Sequence, residues 1–161
     1  MSKVTIVKEA AEKAMAAEGD RTRLLIGRAE KFVAGAAIVL GYQMTDLAQL
    51  LGSSSPWAKV SCHLALAALG LSLLFGFYSL RLKGYAGYPR GDTLWETLKP
   101  DDVTEDAAEL AVIQLLLKTR EQSAKLNDAK AGSLSWCGWL LFTGILLVLG
   151  SHLLDILANM W

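Results

Sequence analysis

The chain has 161 residues, 53% of them hydrophobic, and its 16 lysines and arginines are balanced by 16 acidic residues. This length is too short for two independent domains of ordinary size. Basic and acidic residues are interleaved along the charged segments, which excludes a large basic surface for a nucleic acid polymer.

The N-terminal segment, 1–31, is predicted to form amphipathic helices in water. Residues 4–17 have helical composition, with alanine and valine on one stripe. The sequence Glu18-Gly19-Asp20 predicts a break, with Asp20 as the N-cap of a second helix. Acidic residues interrupt this segment, so it is unlike a cleavable signal and we expect it to be retained.

Three apolar stretches follow, at 32–51, 57–80 and 134–154. Each can cross a bilayer core, which needs about 20 helical residues. The first two are joined by a five-residue linker, whereas a charged insert at 81–133 separates the second from the third. The sequence therefore predicts an all-α integral membrane protein with three transmembrane helices: a hairpin at 32–80, a helical insert at 81–133, and a third span with a short tail at 134–161.

The basic residues predict the orientation of these spans. Every lysine and arginine except Lys59 lies in 1–31 or in 81–133, and such residues accumulate on the cytoplasmic side. We therefore expect the N-terminus and the insert in the cytoplasm and the C-terminus outside. Cys62 and Cys137 then lie near opposite membrane faces, too far apart for a disulfide.

Within the insert, residues 84–100 are rich in glycine and proline and are predicted to form a loop. A helix is predicted to start at Thr104, where a hydroxyl precedes two acidic residues, and to end near Lys130. Leu110, Ile113 and Leu117 are predicted to form its apolar stripe.

The first span carries a polar face, composed of Gln43, Asp46 and Gln49 with Tyr42 beside them. An ionisable group within a span usually faces a protein interior or a water-filled cavity, so Asp46 is a candidate for a pore or proton path. The alternative is a structural hydrogen bond between spans. His63, at a similar depth on the second span, is its predicted partner.

His152 and Asp155 on the third span extend this prediction to a packed polar network. Asp155 is expected to reach the interface and water. The spacing of these histidines and aspartates matches no metal-ligand motif, so we predict no metal site.

The second span has a stripe of small residues, Ala68, Ser72 and Gly76, of the kind that lets helices approach closely. It is predicted to pack either on the first span or on the second span of another copy. Three helices cannot enclose a polar lumen wide enough for ions, so any pore requires a homo-oligomer, which is the state we expect.

The sequence indicates a protein that is not an enzyme and that needs no cofactor, because the insert contains no histidine, no cysteine and no phosphate-binding glycine loop. Arg90, Trp95 and Tyr88 combine basic and aromatic chemistry within one turn-rich segment. They are the candidate ligand-binding residues, since arginine pairs with phosphate and aromatic rings stack on bases. Tyr88 is also typical of a residue that anchors a chain at lipid headgroups, whereas Arg90 and Trp95 lie farther from the predicted span.

In layout, nearly the whole chain resembles the small transmembrane effectors of bacterial anti-phage signalling. The features that carry the likeness are the turn and Leu-Trp pair between Pro89 and Trp95, and the Lys130-Ala131 pair after the long helix. The chain is most similar to the Pycsar transmembrane effector group, and Arg28-Ala29-Glu30-Lys31 is the nearest match to the basic-plus-alanine signature of that group.

This resemblance implies a bacterial inner-membrane protein of antiviral defence that binds a cyclic pyrimidine nucleotide and then impairs the membrane. The alternative is a non-catalytic membrane anchor or scaffold subunit that presents its cytoplasmic helix to a protein partner. The polar face of the first span favours the effector, because a scaffold has little need of polar residues within the bilayer.

Overall fold

The computed structural model of the protein describes residues 3–53, 55–82 and 104–160. Within these ranges the chain forms three α-helices and no strand, with α1 at Lys3–Gly52, α2 at Pro56–Arg81 and α3 at Glu105–Met160. The all-α prediction is therefore confirmed for this part of the chain. The loop predicted at 84–100 lies outside the described residues.

The break predicted in the N-terminal segment is wrong, because Gly19 and Asp20 lie inside α1. A partner on α3 compensates for the weak local helix propensity here. The Glu18 carbonyl accepts hydrogen bonds from the Thr22 hydroxyl at 2.9 Å and from the Asn127 side-chain amide at 3.2 Å. Tertiary contacts commonly override propensity in this way.

The predicted start of the long helix is confirmed, since α3 begins at Glu105 and the Ala108 amide donates to the Thr104 carbonyl at 3.0 Å. Its predicted end near Lys130 is wrong, because α3 continues to Met160. Ser133 lies inside the helix and donates its hydroxyl to the Phe75 carbonyl at 2.9 Å. That interhelical bond occupies a side chain that could otherwise have capped a separate helix.

The linker between α1 and α2 contains its own capping group. The Ser55 hydroxyl accepts a hydrogen bond from the Ala58 amide at 3.3 Å, and Pro56 occupies the first helical position. Serine is a favoured N-cap, and proline at the next position has a φ suited to the helix. These two residues explain why α2 starts so soon after α1 ends.

The chain divides into two units. We call Met1–Leu25 with Leu82–Ala129 the charged unit, and Ile26–Arg81 with Lys130–Trp161 the apolar unit. In the charged unit, Ile113 and Leu116 are buried, whereas Leu110 and Leu117 are exposed. The predicted apolar stripe was thus right at Ile113 only, because the buried face continues towards Asn127 through polar residues that the apolar pattern left out.

In the apolar unit, α1 and α3 run parallel and α2 runs antiparallel to both. Phe32 of α1 lies against Gly138 of α3, and Gly35 of α1 lies against Leu141 of α3. The two contacts advance by the same number of residues along both helices, so α1 and α3 run in the same direction. Buried positions alternate in steps of four and three along α2 at Ala58, Cys62, Ala65, Leu69, Ser72, Gly76 and Ser79, and Ala68 is buried beside Leu69. This 3.5-residue spacing is typical of left-handed helix bundles.

The apolar unit has small residues inside and large apolar residues outside. Its interior includes several alanines, serines and glycines, together with Leu69 and Val148. Its exposed side chains include Trp57, Phe77, Trp136, Trp139, Phe142 and Leu149. A water-soluble protein rarely exposes so much apolar surface, whereas small residues between helices and large ones towards lipid are the membrane arrangement.

Two helices are long and apolar enough to cross a membrane, namely Pro56–Arg81 and Ala107–Met160. Only 39% and 22% of their most apolar windows are buried, which is unlike the core helix of a soluble protein. Residues 32–51 of α1 are not among these helices. Their polar face lowers the hydropathy of this stretch, so its place in the membrane stays a prediction.

Candidate functional site

A polar cluster lies inside the apolar unit, and we define it as Gln43 and Asp46 of α1, Cys62 of α2 and His152 of α3. Gln43 is fully buried and donates through Nε2 to the Cys62 Sγ at 3.2 Å. Its Oε1 is buried and has no hydrogen-bond partner in the described part of the chain. A buried amide oxygen without a partner costs free energy, so this position invites a functional explanation.

Asp46 and His152 form the titratable part of the polar cluster. The Asp46 Oδ2 lies 3.8 Å from the His152 Nε2, and the two side chains are 32% and 30% exposed. The distance exceeds that of a hydrogen bond, so the two side chains lie side by side without a direct hydrogen bond between them. The Tyr42 ring lies beside the imidazole, with centroids 6.1 Å apart.

The prediction that His63 is the partner of Asp46 is wrong. His63 is exposed, and its Nδ1 lies 2.7 Å from the Lys59 carbonyl of its own helix. The prediction compared depths across the α1–α2 hairpin only. Because α3 runs parallel to α1, His152 of α3 lies at the same level along the bundle as Asp46 of α1.

The remaining polar candidates divide between interior and surface. Gln49 is exposed, although it lies only two turns from the fully buried Gln43. Asp155 is buried, at 6% exposure, which contradicts the expectation that it reaches water. The predicted polar face of α1 therefore extends from the bundle interior at Gln43 to its outer surface at Gln49.

The small residues of α2 pack within their own chain. Ala68, Ser72 and Gly76 are all buried, and the Ser72 hydroxyl donates to the Cys137 carbonyl of α3 at 2.9 Å. A Cβ added at Gly76 would meet Val33 of α1 at 2.5 Å. The sequence left two packing partners open for this stripe, the first span and the second span of another copy. In the structure the stripe packs on α1 of the same chain, and also on α3.

The charged unit contains a hydrogen-bond cluster that the sequence reading missed. Asn127 is buried; its Nδ2 lies 2.8 Å from the Glu18 carboxylate, and its Oδ1 lies 3.0 Å from the Thr22 hydroxyl. Arg21 and Asp128 add an exposed ion pair at 2.7 Å. Asn127 lies seven residues before Leu134, which is also buried. This heptad spacing is the sequence signal that could have indicated the hydrogen-bond cluster.

Lys130 is a second feature that the sequence did not reveal. Its side chain is only 2% exposed, and burial lowers the pKa of its ammonium group. Removing a cation from water is unfavourable, so the burial of this residue carries a cost in stability. Arg90, Trp95 and Tyr88, the candidate ligand-binding residues, lie outside the described residues.

No family model matches the chain, and neither the curated proteins nor the solved structures include a significant match. The chemistry of the site therefore rests on the geometry of these side chains.

Proposed function

We propose that this chain is a non-catalytic membrane effector, whose apolar unit impairs the bilayer when several copies assemble. The polar cluster carries this proposal. An acid–histidine pair lies in a bundle whose outer surface is mostly large and apolar, together with a buried glutamine whose Oε1 has no hydrogen-bond partner among the described residues. Such groups are costly in a membrane and are usually retained for an ion or proton path.

The proposed topology has three spans, with 32–51 of α1 as the first. Its parallel packing with α3 and its contact with Gly76 of α2 support this placement. The charged unit then lies in the cytoplasm and the C-terminus outside, across a bacterial inner membrane. Reporter fusions at Gly19 and Ala131 should report cytoplasm, and a fusion after Trp161 should report the far side; a cytoplasmic C-terminus would contradict the three-span arrangement.

The proposed signal is a cyclic pyrimidine nucleotide, as the resemblance to the Pycsar transmembrane effectors implies. Arg90 would pair with its phosphate and Trp95 or Tyr88 would stack on its base. Losing a charge-assisted hydrogen bond costs about 1.5–3 kcal/mol, or about ten- to more than a hundredfold in affinity. Arg90→Ala should therefore abolish the nucleotide-triggered effect while insertion into the membrane is unchanged.

The effector activity is tested by regulated expression in bacteria, with and without a cyclic pyrimidine nucleotide, while dye entry and growth are recorded. We expect wild type to admit dye only with the nucleotide, and Asp46→Asn to weaken this effect strongly. Asp20→Asn is the matched control, because Asp20 lies in the charged unit with its side chain 75% exposed. Equal effects of the two substitutions would exclude a role for the polar cluster.

The second candidate function is a membrane-anchored scaffold. It is favoured by large apolar side chains exposed on the charged unit, namely Ile6, Val7, Leu24, Leu110 and Leu117, which suit a protein partner. A scaffold predicts that dye stays excluded at every level of expression and that Asp46→Asn has no effect. The same experiment therefore separates the two functions.

A further inference from the structure

Two buried atoms of the polar cluster have no hydrogen-bond partner in the described part of the chain. The first is the Oε1 atom of Gln43, whose Nε2 group already donates to the Cys62 Sγ. The second is the His152 Nε2, which lies 3.8 Å from the Asp46 carboxylate. An amide oxygen and an ionised carboxylate only accept hydrogen bonds, and a neutral imidazole has one nitrogen that accepts. The polar cluster is therefore suited to a ligand that supplies protons.

A layer of apolar side chains lies next to the polar cluster on all three helices. We call it the apolar layer, and it consists of buried residues and the residues packed on them: Ala65, Leu69 and Val148, with Val39, Leu40, Leu141 and Leu147. On each helix, one turn separates a residue of this layer from one of the polar cluster; the pairs are Val39 and Gln43, Ala65 and Cys62, and Val148 and His152. Because α2 runs antiparallel to α1 and α3, these three steps all lead in the same direction along the bundle.

On the opposite side of the polar cluster the buried positions stay polar. Asp155 lies one turn after His152 on α3, and it is buried, at 6% exposure. The helix ends at Met160, little more than a turn later. Polar groups thus extend from the depth of Gln43 towards the C-terminal end of α3, whereas the apolar layer closes the bundle in the other direction.

We propose that the polar cluster is a proton-binding site reached from outside, and that the apolar layer blocks the passage of the proton to the cytoplasm. The inference rests on the proposed function, which supplies the placement of 32–51 in the membrane and the orientation of the bundle. The proton bonds to the free ring nitrogen of His152, and the hydronium ion that delivers it becomes water. With Asp46 ionised, the protonated pair carries no net charge.

A proton fits this geometry better than a larger ion does. Three helices enclose no lumen wide enough for ions, whereas chains of acidic groups and histidines pass protons through membrane proteins. Among the described residues, no three histidine, cysteine or acidic side chains are grouped so that they could hold a metal ion. One protomer therefore contains all the groups that the site needs.

The titratable groups around the acid–histidine pair come from all three helices. Tyr42 of α1 lies beside the imidazole, with ring centroids 6.1 Å apart. Cys62 of α2 reaches the polar cluster through its contact with Gln43, and Asp155 of α3 follows one turn away. Lys59 of α2 is half-buried on the outer side of Cys62. His63 of α2 is exposed, so it offers a matched control for His152.

Nitrogen NMR of the isotope-labelled full chain in nanodiscs tests the proton-binding site. The chain has two histidines, so His63→Gln assigns the imidazole signals of His152. We expect these signals to change between about pH 5 and 8, where histidine commonly titrates, and Asp46→Asn to alter the pH of the change. Asp20→Asn, at an exposed position of the charged unit, should leave it as in wild type. The site is overturned if His152 does not titrate in this range, or if the two aspartate substitutions act alike.

Proton flux into liposomes that contain the full chain tests the apolar layer. A potassium gradient with valinomycin drives the flux, and a pH-sensitive dye inside the liposomes records it. Without a nucleotide, wild type should hold the proton gradient and Leu69→Ala should lose it, because the smaller side chain leaves a gap in the apolar layer. Ala65→Ser adds a hydroxyl there with little change in volume and should also raise the flux. Leu74→Ala is the matched control, since Leu74 projects outward from α2 at 65% exposure.

The flux through Leu69→Ala should depend on the polar cluster. Adding His152→Gln should abolish this flux, whereas adding His63→Gln should leave it unchanged. The proposal is overturned if the flux persists without His152, if neither Leu69→Ala nor Ala65→Ser conducts protons, or if wild type conducts as fast as they do.

These results are distinguishable from a failure of the proposed function. If the nucleotide admits dye into bacteria but the proton flux does not depend on His152, the proposed function stands and the proton site fails. If the flux depends on His152 while dye stays excluded from bacteria at every nucleotide level, the proton site stands and the membrane-impairing function fails.

Discussion

Gly144→Ala is expected to destabilise the apolar unit relative to the matched substitution Gly70→Ala. A Cβ at Gly144 would lie 2.7 Å from the Cδ2 atom of Leu69 and 2.8 Å from its Cγ atom. Leu69 is fully buried in the cluster with Ala65 and Val148, so its side chain has little room to move. A Cβ at Gly70 would meet no heavy atom within 4 Å.

The magnitude follows from two opposing effects. Overpacking a well-packed interior costs about 1–3 kcal/mol. Alanine favours a helix interior over glycine by about 1 kcal/mol, and this gain applies at both positions. It therefore cancels in the comparison, and we expect the free energy of unfolding of Gly144→Ala to lie about 1–3 kcal/mol below that of Gly70→Ala.

The assay is reversible unfolding in mixed detergent micelles, followed by tryptophan fluorescence. Leu69→Ala should cost less in the Gly144→Ala background than in the wild type, because the smaller side chain makes room for the new methyl group. Equal unfolding free energies for Gly144→Ala and Gly70→Ala, or no coupling between positions 69 and 144, would refute the close contact of α2 with α3.

Two further predictions concern the charged unit and its neighbouring lysine. Asn127→Ala should destabilise the charged unit by about 1–3 kcal/mol, because Thr22 and Glu18 lose a buried partner. Amide hydrogen exchange measures this loss of stability. Asp128→Ala is the control, since it removes only an exposed ion pair and should change the stability by less than about 1 kcal/mol. If the two variants exchange alike, the buried hydrogen bonds do not hold this unit together. Lys130→Met should raise the free energy of unfolding at pH 7, because it removes a buried cation. Burial lowers the pKa of Lys130 in the folded state, so the unfolded chain binds more protons. The stability of the wild type should therefore rise with pH between the lowered pKa of Lys130 and the pKa of an ordinary lysine. Denaturation at several pH values checks this, and a wild type and variant with parallel pH profiles would show that the buried ammonium has a counter-charge.

Local sequence signals explain two of the helix starts. The linker at 52–56 contains a serine cap and a proline, and both act as their types suggest. Thr104 likewise marks the start of α3. The i, i+4 pair of Glu121 and Lys125 forms at 2.7 Å, although it is exposed and therefore contributes little stability.

Helix ends were harder to predict where a partner helix supplied the missing hydrogen bonds. Gly19 and Asp20 read as a break because their types are weak helix formers, yet Asn127 holds the backbone at Glu18 from α3. Ser133 binds the Phe75 carbonyl in the same way. Neither partner is near in sequence, so no local pattern could indicate these contacts.

The sequence by itself determined the helical class, the presence of apolar helices that can cross a membrane, and the presence of polar side chains among them, because each follows from composition and spacing along one helix. Only the tertiary structure decided which partners these side chains meet. The parallel packing of α1 with α3 places His152 beside Asp46, buries Gln43 and Asp155, and leaves Gln49 exposed on the outer surface. Helix periodicity fixes which residues share a face, but the direction and register of the neighbouring helix decide what that face contacts.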